Sequence, residues 1–98
     1  MSISVVAVIT AKPGSEDAVR EAMKGIVGPT REEPGCLAYD LSESSSAPGT
    51  FITVEEWSDP SDLTKHMETE HIQGALAVLG SELAAPPAIH ALTPIDVP

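Results

Sequence analysis

The sequence predicts a single α+β domain, spanning residues 1–98, of order β-α-β-β-α-β around one four-stranded antiparallel sheet. Three observations predict it. Two stretches with helical spacing alternate with four stretches of strand character. The first strand is apolar on both parities, as a central strand covered on two faces would be. A proline, Pro94, falls in the last strand, where only a sheet edge tolerates a missing ladder donor.

Ile3 to Ala11 is rich in β-branched residues and closes on Lys12-Pro13-Gly14, a turn. Ser15 then serves as helix N-cap, with Glu16 and Asp17 well placed in the first turn. Ala18, Val19, Ala22, Met23, Ile26 and Val27 recur at spacings of three and four, the stripe of an amphipathic helix. Gly25, Gly28 and Pro29 weaken its end, and Pro34-Gly35 stops it. Leu37, Tyr39 and Leu41 alternate with polar or small residues, the period of a half-buried strand. After the turn at 44–49 comes a third strand, Thr50 to Ser58. Phe51, Thr53, Glu55 and Trp57 share one of its faces; Ile52, Val54 and Glu56 share the other.

Asp59-Pro60 opens a second helix as cap and first helical residue. Its apolar stripe runs from Leu63 through Leu79 to about Glu82, before Pro86-Pro87 and a last strand, Ala88 to Ile95. This order is the ferredoxin-like, split βαβ arrangement, with expected sheet order 4-1-3-2. If both helices cover one sheet face, the other keeps apolar side chains that a monomer rarely leaves wet. A homodimer with sheets face to face is therefore expected, forming an α+β barrel.

Charge narrows the partners. Five Lys/Arg against fifteen Asp/Glu give a net charge of −10, which disfavours phosphate backbones and anionic lipid surfaces. Neither nucleic acid nor membrane is an expected partner. The lone Cys36 excludes an intrachain disulfide, no stretch is long and apolar enough to span a bilayer, and Met1-Ser2-Ile3-Ser4 lacks a basic leader start. A cytoplasmic location is expected. Phosphate loops, Cys-x-x-Cys and Gly-x-Ser-x-Gly are all absent.

The dense chemical cluster is His66-Met67-Glu68-Thr69-Glu70-His71. His66 and His71 lie about 140° apart on a regular helix, so they share a ligand only if the helix breaks between them; no metal is expected. His66 and Glu70, four apart, share a face, which makes His66 a candidate general base oriented by Glu70. Trp57 ends the third strand just before this helix and offers a flat apolar wall, with Tyr39 adding a ring and a hydroxyl. Glu55 and Glu56 point to opposite faces, so one carboxylate faces inward. Glu56 is taken as the substrate contact. Each residue has a plainer role open to it: core filling for Trp57 and Tyr39, a solvated face for the acids.

Arg31-Glu32-Glu33-Pro34-Gly35-Cys36-Leu37-Ala38-Tyr39, Glu55-Glu56-Trp57-Ser58-Asp59 and His66-Met67-Glu68-Thr69-Glu70-His71 resemble the antibiotic biosynthesis monooxygenase family, over nearly the whole chain. The resemblance implies a dimeric α+β barrel with a cavity between sheet and helices. For some members it implies oxidation of phenolic or quinol-like substrates by O2 with no metal or flavin. Others degrade haem or act on small signalling molecules. His66, His71 and Trp57 fall on positions matching the family's pattern, whereas the Asn of the haem-degrading branch has no counterpart in a chain without Asn. The expected function is cofactor-free oxidation of a small phenol or quinol, with His66 as base, His71 and Glu70 assisting, and Trp57, Tyr39 and Glu56 contacting substrate. A non-oxidative isomerase and a non-catalytic metabolite-binding dimer are the alternatives.

Overall fold

The computed structural model describes residues 2–98. The elements run β1 (Ile3–Thr10), α1 (Glu16–Arg31), β2 (Cys36–Glu43), β3 (Thr50–Trp57), α2 (Pro60–Met67), α3 (Glu70–Leu79) and β4 (Ala88–Leu92). All strand pairs are antiparallel and the sheet order is β2-β3-β1-β4, the expected ferredoxin-like arrangement. The helices lie on one face. There Val5, Ala7 and Ile9 of β1 and Phe51, Thr53, Glu55 and Trp57 of β3 are buried beneath Val19, Met23, Ile26, Ile72 and Leu79. Fully burying Trp57, Phe51, Val5 and Val19 stabilises the fold by roughly 1.5–3 kcal/mol each. On the other face Val6, Val8, Ile52, Val54 and Leu92 remain partly or fully exposed.

Three boundaries differ from the sequence-based expectation, the smallest being that the helix expected to reach about Glu82 ends at Leu79. The single second helix is two helices, because Thr69 adopts an extended backbone (φ −70°, ψ 155°) that caps a new helix. Its Oγ1 donates to the His66 carbonyl at 2.8 Å, and Gln73 Nε2 donates to the Met67 carbonyl at 2.8 Å. The last carbonyls of α2 are thus satisfied without continuing the helix. The final strand stops at Leu92, so Pro94 lies beyond the ladder rather than in it. Asp59 caps α2 as expected, accepting from the Ser61 amide at 2.9 Å, whereas Ser15 holds the N-cap position of α1 without a side-chain capping hydrogen bond.

Among the described residues, no helix is long and apolar enough to cross a membrane.

Candidate active site

The break between α2 and α3 decides the geometry of the histidines. His66 occupies the last turn of α2 and His71 the first turn of α3, and the change of direction at Thr69 turns both rings toward one point. That point is Glu33, in the loop after α1. Its Oε2 lies 2.7 Å from His66 Nδ1 and 2.7 Å from His71 Nε2. The two helices and the α1–β2 loop therefore meet at one carboxylate oxygen. An ionised carboxylate only accepts, so this pairing assigns the proton of His66 to Nδ1 and that of His71 to Nε2.

Glu33 is carried there by a tight turn. Gly35 has φ +87°, the left-handed backbone that glycine adopts at no steric cost, and a Cβ there would also meet the mobile end of the Asp62 side chain at the start of α2. The Gly35 carbonyl accepts from the Ser58 amide at 2.8 Å, tying the turn to the end of β3. Arg31 Nε donates to the Tyr39 carbonyl at 2.9 Å, fastening the end of α1 to β2.

His66 is buried among rings. Its centroid is 4.8 Å from that of Trp57 and 5.7 Å from that of Tyr39. With Nδ1 engaged by Glu33, Nε2 is left as the ring's acceptor. His66 is also the one imidazole on the wall of a cavity of about 280 Å³ between sheet and helices, at the small end of ligand pockets. Its lining is mostly apolar, with Ile9, Met23 and Ile26 on one side and Leu63, Met67, Ile72 and Leu76 on the other. Tyr39, Thr53 and Glu55 supply the remaining polar wall. Burial pushes the Tyr39 phenol above its ordinary value, and the nearby Glu55 and Glu33 carboxylates push it the same way. Burial, then Glu33, also raises the Cys36 thiol.

The sequence-predicted residues divide as follows. His66 and Tyr39 line the cavity. His71 joins His66 through Glu33 but stands off the cavity wall. Trp57 stands behind His66 rather than on the cavity surface, fully buried, its Nε1 donating to Glu55 Oε1 at 2.9 Å. Glu70 does not orient His66: the chain turns at Thr69, the i,i+4 relation is lost, and Glu70 is exposed as the first residue of α3. Glu33 takes that place. Glu56 points to the helix-free face and accepts from Ser4 Oγ at 2.9 Å, so Glu55 is the inward carboxylate. The signal for Glu55 was already in β3, whose alternation puts it on the face of Trp57. Glu33 had only its place beside Pro34-Gly35 to mark it.

Among the described residues, Glu33, His66 and His71 also form a donor set that could hold a metal ion, their ligand atoms all within 4.8 Å of one another. Two imidazole nitrogens and a carboxylate suit a transition metal. Here the same atoms are joined by hydrogen bonds.

The protein is thus a ferredoxin-like α+β domain, its sheet roofed by helices, with a histidine on the wall of an apolar cavity. The chain belongs to the antibiotic biosynthesis monooxygenase family, whose model matches residues 2–78. Rv0793 of Mycobacterium tuberculosis, which bears a monooxygenase name, is 31% identical over 94 residues, spanning 96% of this chain and 92% of that protein. Its solved structure superposes with a TM-score of 0.89 over 99% of this chain and 98% of that one, at 30% identity. PA3566 of Pseudomonas aeruginosa also gives 0.89, at 30% identity, covering 97% of this chain and 95% of its own. The Escherichia coli K12 protein named "Probable quinol monooxygenase YgiN" is 28% identical over 81 residues, covering 72% of this chain and 78% of that protein.

Proposed function

We propose that the protein is a cofactor-independent monooxygenase that oxidises a small phenolic or quinol-type molecule with O2. One observation carries the reading: His66 is held at Nδ1 by Glu33, 2.7 Å away, while the same ring borders the apolar cavity. A carboxylate that fixes one imidazole nitrogen leaves the other to accept a proton, and an apolar cavity holds the ring to be oxidised.

In this reading Nε2 of His66 takes the substrate's hydroxyl proton. The resulting phenolate is electron-rich enough to reduce O2, which reacts slowly with closed-shell molecules. For a hydroquinone the sum is quinol plus O2 to hydroxyquinone plus water. A C–O bond forms on the ring, the O–O bond breaks, the second oxygen leaves as water, and all four electrons come from the substrate. The protein supplies position and proton transfer. The name of the Escherichia coli relative supports the substrate class.

The reading includes a cytoplasmic homodimer in which a second copy covers Val6, Val8, Ile52, Val54 and Leu92 on the helix-free sheet face. Light scattering then gives twice the chain mass.

Oxygen uptake with a panel of quinols tests the chemistry. His66→Ala is expected to slow uptake on the order of a hundredfold or more, and equal rates in both proteins remove His66 from the mechanism. A product of unchanged mass shows an isomerase instead. Binding without any turnover shows a carrier.

A further inference from the structure

The reaction scheme leaves the one buried carboxylate on the cavity wall without a task. Glu55 is 4% exposed and lines the cavity. One carboxylate oxygen accepts from Thr53 Oγ1 at 2.6 Å, the other from Trp57 Nε1 at 2.9 Å. Both donors are neutral, so the carboxylate is held in place and kept as an acceptor without a counter-charge. Most cationic groups among the described residues are engaged elsewhere, and the remaining two, Lys65 and His90, are exposed and form no ion pair with Glu55. Arg20 pairs with Asp17 and Glu43, Lys24 with Glu21, Arg31 with Asp40, and both His66 and His71 with Glu33. Lys12 donates to the Ser81 carbonyl. Glu55 has no ion-pair partner in that set. A buried carboxylate lacking one is costly to the fold and marks a place where a ligand can supply what is missing.

Glu55 and His66 approach the same indole. Trp57 donates its N–H to Glu55 and packs its ring 4.8 Å from that of His66. A donor group bound by Glu55 therefore brings the rest of its molecule beside His66. An anion in the same place meets the Glu55 charge directly and the Glu33 charge just behind the imidazole. A like unit charge about 6 Å away, at an effective dielectric constant of about 20, weakens binding on the order of a hundredfold.

We propose that Glu55 is the selectivity group of this cavity, receiving a hydroxyl or ammonium donor from the ligand and rejecting anions. The ligand class is an apolar, ring-sized molecule that is neutral or cationic and carries at least one donor; carboxylates, phosphates and sulfates are excluded. The proposal rests on the cavity being the substrate site, and not on the oxidation itself.

Calorimetric titration of the full chain at neutral pH with hydroquinone, benzylamine and benzoate tests it, since these present a neutral donor, a cation and an anion on one ring. Benzoate is expected to bind at least about tenfold more weakly than the other two. Glu55→Gln, which keeps size and shape, should close that gap by admitting benzoate and weakening benzylamine. Thr53→Val keeps the carboxylate and should keep the ranking, which separates loss of charge from a disturbed wall. Benzoate binding as tightly as hydroquinone to the wild type overturns the proposal, as does failure of all three to bind at millimolar concentration. An unchanged ranking in a folded Glu55→Gln protein overturns it too; if that variant does not fold, the wild-type ranking decides. A protein that ranks the probes as expected but consumes no oxygen with any quinol loses the monooxygenase reading and keeps this one.

Discussion

His66 and His71 stand in different helices, yet each places a ring nitrogen 2.7 Å from the same atom, Oε2 of Glu33. The shared acceptor locks two tautomers at once and couples three elements at the cavity's edge. Its geometry depends on Thr69, which ends α2 and caps α3 within one residue. Had the helix continued, the rings would diverge by about 140°.

Glu33 is expected to act on turnover and not on substrate affinity, because it touches His66 from behind and does not line the cavity. Glu33→Gln keeps an acceptor oxygen without the charge and should lower kcat on the order of tenfold. Glu33→Ala removes both and should lower it on the order of a hundredfold, with KM for a quinol little changed in either case. Steady-state oxygen uptake measures the split. A rise in KM at constant kcat would place Glu33 in binding instead.

Gly35 holds the turn that delivers Glu33. Gly35→Ala adds a Cβ at φ +87° and against the Asp62 carboxyl group. A loss of roughly 2 kcal/mol or more is expected in urea unfolding. Adding Asp62→Ala should recover the part due to collision and leave the part due to backbone strain. A Gly35→Ala protein as stable as wild type contradicts both contributions.

Tyr39 gives a pH signature. Burial, reinforced by Glu55 and then Glu33, raises its folded-state value above the ordinary 10.0. The native phenol keeps a proton that the unfolded chain releases. Its contribution is complete below about pH 10 and is lost progressively as pH climbs from there toward the raised native value. Because Tyr39 is the single tyrosine, tyrosinate absorbance should appear together with unfolding. Tyr39→Phe should flatten the decline of stability on the alkaline side. Free ionisation of the phenol near pH 10 in a fully folded protein would contradict this.

Chelation separates the two uses open to the Glu33, His66 and His71 cluster. With His66 acting as a proton acceptor through Nε2, oxygen uptake should survive exhaustive dialysis against a chelator. Loss of activity that a divalent transition metal restores would assign the cluster to metal chemistry instead.

The strand order and, apart from the division of the second helix, the element order are legible in the sequence for local reasons. Ser15 and Asp59 mark helix starts, the two-sided apolar run from Val5 to Ile9 marks a central strand, and the parity of Phe51, Thr53, Glu55 and Trp57 places those four on one face. Each signal is carried by neighbours within a turn or a pleat. The break at Thr69 left a faint local trace: Leu63 and Met67 are four apart and Ile72, Leu76 and Leu79 keep spacings of four and three, but Met67 and Ile72 are five apart, about 140° round a regular helix. One slip between two short periodic runs is a weak signal, and what turns the chain there is the extended backbone at Thr69.

The site itself was half visible. His66 and Tyr39 could be picked as residue types suited to the chemistry, and the inward carboxylate was narrowed to Glu55 or Glu56. The partner of His66 lies 33 positions away in another loop, and no local rule connects Glu33 to it. By itself the sequence determined which segments are strand or helix and which way their side chains alternate, since those follow from short-range sterics and hydrogen bonding. Only the tertiary structure decided which carboxylate meets which imidazole and where a cavity remains, because both depend on how whole elements pack against one another.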